Sequence, residues 1–315
     1  MADPITQYLN ILQPRAFLWK EMLLEKQHKK DFSKHDGIVF GSVVNGACKL
    51  RLPDGQTLGV KPGDFVMLNA PGHWSMEVDD KGASQSDPLF GVCQQSHLGI
   101  LGQKTCLVLA GHFDFIYADV GLQTLLLPRV SHFTENQMAR TRLRLILDLI
   151  VEEASADLAG GEWVKCRLLE LMLTHVLRLQ SNFSRTLSSG ALCAMADPRI
   201  GPCLKLLHND FGKPWTVQSL AALAGMSRSV FAKNFRRLVG IPPVEYLTYW
   251  RMTLAKRDLV HTDRTLQQIA CSVGYQSATS FGTAFKSVVG KTPAAYRSLM
   301  KRWSSPDIPG GEIGS

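Results

Sequence analysis

The fold of the C-terminal third is decided by two related stretches, Leu220-Ala221-Ala222-Leu223-Ala224-Gly225-Met226-Ser227 and Ile269-Ala270-Cys271-Ser272-Val273-Gly274-Tyr275-Gln276-Ser277. Each is an apolar segment that ends in glycine and is soon followed by serine. The similarity continues through five further pairs: Phe231 with Phe281, Phe235 with Phe285, Gly240 with Gly290, Pro243 with Pro293 and Tyr246 with Tyr296. The sequence therefore contains one structural unit twice, which is too few copies for a solenoid.

Each copy has the pattern of a helix, a tight turn and a second helix. Gly225 and Gly274 stand where the first helix ends, and glycine suits the left-handed residue that follows a helix C-terminus. Ser227 and Ser277 stand at the N-cap of the second helix, where a hydroxyl accepts a hydrogen bond from a free backbone amide. Apolar residues then recur at i, i+4 and i+7 and predict a buried face. These are Phe231, Phe235 and Leu238 in one copy and Phe281, Phe285 and Val288 in the other.

The positive charge of the chain is concentrated around this duplication. Residues 197–302 contain 16 Lys and Arg against 5 Asp and Glu, a net charge of +11. Residues 1–196 contain 19 Lys and Arg against 20 Asp and Glu, and residues 303–315 contain no Lys or Arg against 2 Asp and Glu. One basic domain attached to a nearly neutral one is typical of nucleic-acid binding, although a solvated basic surface gives the same count.

The outward face of the second helix in each copy carries side chains that can approach phosphates and base edges in a major groove. The candidate DNA-binding residues of the first copy are Ser227, Arg228, Ser229, Ala232, Lys233, Arg236 and Arg237. Those of the second copy are Ser277, Ala278, Thr279, Thr283 and Lys286. In the second copy this helix has fewer charges than in the first, and it contains an interior Gly282, which costs about 1 kcal/mol relative to alanine. We therefore expect the second copy to bind more weakly or less specifically.

A helical spacer is predicted between the two copies, over residues 242–260, with Pro243 in its first turn. The 18 residues from Pro243 to Val260, at about 1.5 Å each, give a rod of roughly 27 Å. Successive major-groove faces on one side of a duplex are about 34 Å apart. One polypeptide could therefore read a bipartite site with both helices.

The first third of the chain has the sequence pattern of a β structure. Short β-prone runs are separated by turn sequences such as Asn45-Gly46 and Lys61-Pro62-Gly63-Asp64. The predicted strands cover residues 37–44, 47–52, 56–60, 65–69, 73–78, 88–94 and 106–110. Many short strands joined by tight turns favour a small barrel or sandwich.

Helical periodicity replaces the β pattern after Pro128. One apolar stripe contains Leu143, Ile146, Leu147 and Ile150, and a second, behind Trp163, contains Leu168, Leu169, Leu171, Met172, Val176 and Leu179. The two helices, joined by Ala159-Gly160-Gly161, could cover the barrel or pair with a second subunit. We predict a sensor and dimerisation domain at 1–182, a linker at 183–196, a DNA-binding domain at 197–302 and a flexible tail at 303–315.

Several motifs together resemble the AraC/XylS family of transcription regulators. They are Asp197-Pro198-Arg199-Ile200, the segment 215–221, Gly225-Met226-Ser227-Arg228, Trp250-Arg251-Met252, Gly274-Tyr275 and the segment 292–297. The resemblance implies base contacts through Ser229, Ala232 and Lys233 in the first recognition helix, and through Ala278, Thr279 and Thr283 in the second. The N-terminal half is similar to the cupin-like regulatory domain of one branch of that family, through Lys61-Pro62-Gly63-Asp64, His73 and the helix at 168–178.

These observations predict an α+β protein with an N-terminal cupin-like β-barrel and helical hairpin, followed by an all-α domain with two helix-turn-helix motifs. The predicted function is sequence-specific, effector-responsive regulation of transcription, often activation in the resembled family. The expected partners are double-stranded DNA, a small-molecule or redox effector and a second copy of the chain, and contact with RNA polymerase is left open. No apolar run approaches the roughly 18 residues of a membrane-spanning helix and no secretory signal is visible, so a cytoplasmic location is expected.

The alternative is a cupin-type metal-dependent enzyme with an accessory DNA-binding domain. Cupin enzymes generally hold their metal with a His-x-His pair, and the sequence has none, so no metal, cofactor or catalytic residue is predicted. His73 and Trp74, after Pro71-Gly72, are candidate effector-binding residues at the barrel mouth. Cys93 is a third, because it is similar to a cysteine of hypochlorite-responsive regulators in the same branch. The 7 cysteines include no Cys-x-x-Cys and indicate reduced thiols.

Overall fold

The computed structural model describes residues 4–18, 22–25, 29–32, 37–69, 72–78, 105–115, 117, 128–138, 141–156, 158–183 and 190–303. These residues form two compact units. The first contains the described residues between 13 and 193 except Tyr117, and the second contains residues 4–12, Tyr117 and 194–303. None of the helices in the described ranges has the length and apolar character needed to cross a lipid bilayer.

The first unit is built on two antiparallel sheets. One has the strand order β1-β9-β4-β7-β10, with β2 also paired to β9, and the other has the order β3-β8-β5-β6. The strands are β1 (Pro14–Leu18), β2 (Met22–Glu25), β3 (Lys30–Phe32), β4 (Ile38–Asn45), β5 (Cys48–Arg51), β6 (Thr57–Val60), β7 (Phe65–Leu68), β8 (Trp74–Val78), β9 (Thr105–Phe115) and β10 (Val130–Phe133). The long β9 pairs with β2 along its first part and with β1 along its second.

The strands predicted at 37–44, 47–52, 56–60, 65–69 and 73–78 are confirmed with small changes at their ends, and the one at 106–110 continues to Phe115. The strand predicted at 88–94 lies outside the described residues. Strands β1, β2, β3 and β10 were not predicted. They are three to five residues long, and a run as polar as Lys30-Asp31-Phe32 has too little apolar alternation to be recognised alone.

The core of this unit lies between the two sheets. In β5, Cys48 and Leu50 are buried and Arg51 is exposed, as the alternation of residue types predicts. The core cluster joins Val39, Val66 and Val108 of one sheet to Leu50 and Trp74 of the other. Apolar residues of both sheets thus face one interior, which is the arrangement of a small sandwich or barrel.

The predicted helical hairpin follows the sheets. Helix α2 (Glu135–Met138) precedes α3 (Arg142–Ala156) and α4 (Gly161–Phe183), and α5 (Ala191–Ala194) comes after them. The four stripe residues of α3 are buried, and α4 packs against α3 and β1. The second stripe is partly wrong: Leu171 is 45% exposed, because it lies on the outer side of α4, away from the buried Leu169 and Met172.

The second unit is helical. Its elements are α1 (Pro4–Leu12), α6 (Ile200–Asn209), α7 (Val217–Leu223), α8 (Arg228–Val239), α9 (Pro243–His261), α10 (Leu266–Ser272), α11 (Ala278–Val289) and α12 (Pro293–Trp303). The pairs α7–α8 and α10–α11 are the two predicted helix-turn-helix motifs. Helix α9 is the predicted spacer, and Pro243 is its first residue.

Helix α1 belongs to this unit although it lies near the N-terminus of the chain. Tyr8, only 1% exposed, packs edge-on against His208 of α6 and Trp250 of α9. The hydroxyls of Tyr8 and Tyr246 are 2.8 Å apart, and the Tyr246 hydroxyl is 2.7 Å from His208 Nε2. Nothing in the local pattern of α1 indicates this contact, because its partners lie about two hundred residues away in sequence.

Candidate nucleic-acid interface

The first helix-turn-helix is defined by three local features. The Thr216 hydroxyl accepts from the Ser219 amide and the Ser219 hydroxyl accepts from the Thr216 amide, so a capping box begins α7. Gly225, with φ of +63°, makes the turn. The Ser227 hydroxyl then accepts from the amide of Val230 and caps α8. The predicted roles of Gly225 and Ser227 are therefore confirmed.

The second motif repeats this design. Thr265 and Gln268 form the capping box of α10, Gly274 makes the turn, and Ser277 caps α11 by accepting from the Ser280 amide. Gln267 adds a bond that the first copy lacks, since its side-chain oxygen accepts from the Ala278 amide at 2.9 Å. The α10 helix is thereby tied directly to the start of α11.

The buried face of each recognition helix is aromatic. Phe231 and Phe235 of α8 and Phe281 and Phe285 of α11 are all fully buried. Phe235 packs edge-on against Tyr246 with a centroid distance of 5.9 Å, and Phe285 packs likewise against Tyr296 at 5.7 Å. The third predicted core position of each copy, Leu238 or Val288, is only half-buried. Val239 is buried next to Leu238.

The opposite face of α8 is open to solvent. Ser227, Arg228, Ser229, Lys233, Arg236 and Arg237 are exposed, and Ala232 is half-buried between them. Within the described residues, none of the four cations forms an ion pair, so their charge is available to an external anion. Helix α8 therefore presents one cationic face opposite the buried phenylalanines.

The corresponding face of α11 is weaker in polar groups. Thr279, Thr283 and Lys286 are exposed, while Ser277 and Ala278 are half-buried. The Thr283 hydroxyl donates to the Thr279 carbonyl of its own helix at 3.1 Å. Gly282 has no heavy atom within 4 Å of where a Cβ would lie, so packing does not require glycine there. Lys286 is the one cation among the residues predicted for this copy.

The candidate effector residues are separated in the structure. His73 lies on the surface, where its Nε2 is 3.1 Å from Asp31 Oδ1. Trp74 is buried, stacks on Phe32 with a centroid distance of 3.9 Å, and lines a cavity between the sheets. Cys93 lies outside the described residues. Sequence reasoning thus placed Trp74 and His73 together, although the chain directs only Trp74 inward.

The cavity is small and its described walls are apolar. It has a volume of about 30 Å³ and is lined by residues that include Met22, Val43, Leu50, Trp74, Met76 and Val108. Except for Trp74, these positions were not predicted from the sequence to contact a ligand. Alternating strand residues identify them as core, but no pattern indicates that the core is incompletely filled.

Comparison with known proteins gives a family match for each half of the chain. The cupin family model matches residues 3–181, and the helix-turn-helix domain model matches residues 220–298. The HTH-type transcriptional regulator AlkR of Acinetobacter baylyi is 42% identical over 278 residues, covering 83% of this chain and 88% of the relative. An AraC-like transcription regulator of Streptomyces lividans is 30% identical over 298 residues, covering 94% of this chain and 98% of the relative.

The chain belongs to the AraC family of transcription regulators.

Among solved structures, the DNA-binding domain of AdpA in complex with a target DNA is 28% identical, covers 34% of this AraC-family chain and 97% of its own, and gives a TM-score of 0.33. The relatives are named as transcription regulators, and nothing among them supports the alternative of a cupin enzyme. In the described part of the chain, no group of three or more His, Cys, Asp and Glu side chains is arranged to hold a metal ion.

Two thiols lie inside the barrel of this AraC-family regulator. Cys48 and Cys106 are completely buried. The hydrogen bond with Cys48, together with burial, raises the pKa of the Cys106 thiol. Because the thiolate is the reactive form, Cys106 is held in an unreactive state. Cys271 is exposed on α10.

Proposed function

We propose that this AraC-family regulator reads a bipartite DNA site with α8 and α11 and responds to a small-molecule effector bound in the cupin domain. The observation that carries the proposal is the duplicated motif with an exposed polar face on each second helix. Helix α9, with 19 residues, spans roughly 28 Å at 1.5 Å per residue. The two faces are therefore carried on one stiff element of a length comparable to a helical turn of DNA.

The proposed roles of the residues differ. Ser229, Ala232 and Lys233, and on α11 Ala278, Thr279 and Thr283, face the base edges. Arg228, Arg236, Arg237 and Lys286, with the capping Ser227 and Ser277, hold the phosphates. Phosphate contacts fix the register of the protein on DNA, whereas base contacts carry the specificity. Because α8 holds four of the five proposed cations, it supplies most of the affinity.

Equilibrium binding to duplex DNA over a range of salt concentrations tests this proposal. If Arg228, Arg236, Arg237 and Lys286 each neutralise one phosphate, the affinity should fall roughly 150-fold between about 50 and 200 mM salt. Lys233→Ala should weaken binding to the preferred sequence by about 1–3 kcal/mol and binding to random sequence by less. Arg237→Ala should weaken both alike and reduce the salt slope by about one.

Lys205, exposed on α6 and outside both recognition helices, provides the control. Lys205→Ala should leave both affinities and the salt slope unchanged. Binding that ignores salt and sequence would refute the proposed function, and equal losses for Lys233→Ala on all sequences would remove its base-reading role.

The effector site that we propose is the cavity between the sheets. Its described walls offer no charged group, so burying a charged ligand there would be unfavourable. About 30 Å³ is too little for an organic molecule without adjustment, and the flexible thioethers Met22 and Met76 in the wall can provide it. The proposed effector is therefore uncharged and apolar, and its binding rearranges the wall.

Benzene and benzoate form a matched pair of probes for this cavity. Benzene at ten times its dissociation constant should stabilise the protein by about 1.4 kcal/mol in thermal unfolding, and benzoate should have no effect. Ala110→Val adds two methyl groups to the lining and should abolish the benzene effect while DNA binding persists. Equal stabilisation by benzoate, or an undiminished benzene effect in the variant, would contradict the assignment.

The functional division that we propose assigns sensing and dimerisation to residues 1–182, apart from helix α1, which packs in the helical unit, and DNA binding to residues 197–302. Exposed apolar side chains on the hairpin, Leu145, Leu149, Trp163 and Leu171, support a homodimer formed through α3 and α4. We place the regulator in the cytoplasm, where its DNA is, with RNA polymerase as the partner through which it would activate transcription.

A further inference from the structure

Arg251, in the middle of α9, binds the loop that leads into the first helix-turn-helix. Its Nε donates to the Phe211 carbonyl at 2.8 Å and its Nη2 donates to the Lys213 carbonyl at 2.7 Å. Both carbonyls lie between α6 and α7. The loop is ordered from within by Trp215, whose indole N–H donates to the Asp210 carbonyl at 2.9 Å. The planar guanidinium therefore holds a preformed loop at two points.

The same guanidinium faces the turn of the second helix-turn-helix. The Tyr275 ring centroid is 5.9 Å from the guanidinium carbon of Arg251. A Cβ on Gly274 would lie 2.7 Å from Arg251 Nη2 and 2.6 Å from the Gly212 carbonyl oxygen. A Cβ on Gly212 would in turn lie 3.2 Å from the Ser272 carbonyl oxygen. The loop of the first motif and the turn of the second thus touch across two glycines, with Arg251 beside them.

Arginine suits this junction for a specific reason. Its fork presents two parallel donors in a fixed geometry, whereas lysine is a point charge on a flexible stem. Within the described residues, the partners of Arg251 are backbone carbonyls and an aromatic ring, and no carboxylate forms an ion pair with it. The contact therefore depends on shape and direction more than on charge pairing.

We infer that Arg251 is a positioning residue for DNA recognition: by joining the loop before α7 to the turn before α11, it fixes the relative orientation of the two recognition helices. The inference rests on the proposed bipartite DNA binding. Two modules held rigidly gain the most when the spacing of their sites matches the protein, and they lose that gain when it does not. Arg251 thereby determines which half-site spacing the regulator accepts.

Arg297 of α12 supplies a matched control. Its Nε donates to the Leu259 carbonyl at 3.0 Å and its Nη2 to the Arg264 carbonyl at 2.7 Å. The chemistry is the same two-carbonyl fork, but Arg297 joins α12 to the end of α9 and the loop before α10. That contact lies within the second motif's half of the unit and does not bridge the two motifs.

The test uses the full-length protein and a duplex that it selects from a random-sequence library. Affinities are measured for the selected duplex and for versions with one and two base pairs inserted between its half-sites. Wild type should lose affinity steeply with insertion. In Arg251→Gln, the ratio of affinities for matched and inserted duplexes should fall about tenfold. In Arg297→Gln, the ratio should stay at the wild-type value, even if the protein is less stable.

A ratio of affinities separates positioning from stability, because partial unfolding lowers the active fraction equally on every duplex. If Arg251→Gln does not fold, the ratio is measured in Gly212→Ala. The added methyl group presses on the Ser272 carbonyl, and we expect this variant to lower the ratio of affinities as well. A wild-type ratio in the folded variant would overturn the inference and leave the proposed function intact. Failure to select any duplex would overturn the proposed function and the inference with it.

Discussion

Phe235→Ala is expected to remove about 3–5 kcal/mol from the free energy of unfolding of the helical unit, the usual cost of truncating a fully buried phenylalanine. Phe235 is 0% exposed and touches the rings of both Phe231 and Tyr246. Its loss would leave a cavity between α8 and α9, and DNA binding through α8 should fail with the packing. Urea denaturation followed by circular dichroism measures the change.

Leu223→Ala is the control for this substitution. Leu223 is also a large apolar residue of the first motif, but it is 55% exposed, so its truncation should cost less than about 0.5 kcal/mol. Phe285→Ala, at the equivalent position of the second copy, should destabilise to a similar extent as Phe235→Ala. If Phe235→Ala and Leu223→Ala had equal effects, the assignment of Phe235 to the core would be wrong.

The positions of Phe235 and Phe285 were predictable because the information is local. A spacing of four residues, a glycine before and a serine cap specify a helix and its buried face without reference to the rest of the chain. The same holds for β4 to β8, where turn sequences and alternation coincide. These features place every candidate DNA-binding residue on α8, on α11 or at their N-caps.

What the sequence did not reveal depends on contacts between distant residues. Tyr8 meets Tyr246 across 238 positions, and Arg251 reaches carbonyls 38 and 40 positions before it. A backbone carbonyl is offered by every residue, so no pattern marks the ones that an arginine will bind. By contrast, the separation of His73 from Trp74 follows a local rule, because successive side chains of an extended chain point to opposite faces.

The stability of the helical unit is expected to fall as the pH is lowered through the range from about 6.5 to 3, because of His208. Burial lowers the pKa of His208 to about 3. The neutral ring, stacked on Trp250 at a centroid distance of 3.9 Å, is thus the folded form, and the unfolded chain binds the proton first. Above about pH 6.5 the neutral ring contributes its full stabilisation, and at pH 5 the free energy of unfolding is lower by about 2 kcal/mol.

Urea midpoints at about pH 7.5 and pH 5 measure this loss, and His208→Gln should flatten the difference because glutamine does not titrate. The pH range of the loss also distinguishes the effect of His208 from that of the Asp64 carboxyl in the other unit. Although Asp64 is buried, hydrogen bonds from His132 and from the Lys61 and Glu135 amides lower its pKa, so its contribution is lost only below about pH 3.9. A variant that retains the full wild-type pH dependence would show that another group controls it. A flattened dependence would establish that the aromatic cluster of Tyr8, His208, Tyr246 and Trp250 requires a neutral imidazole.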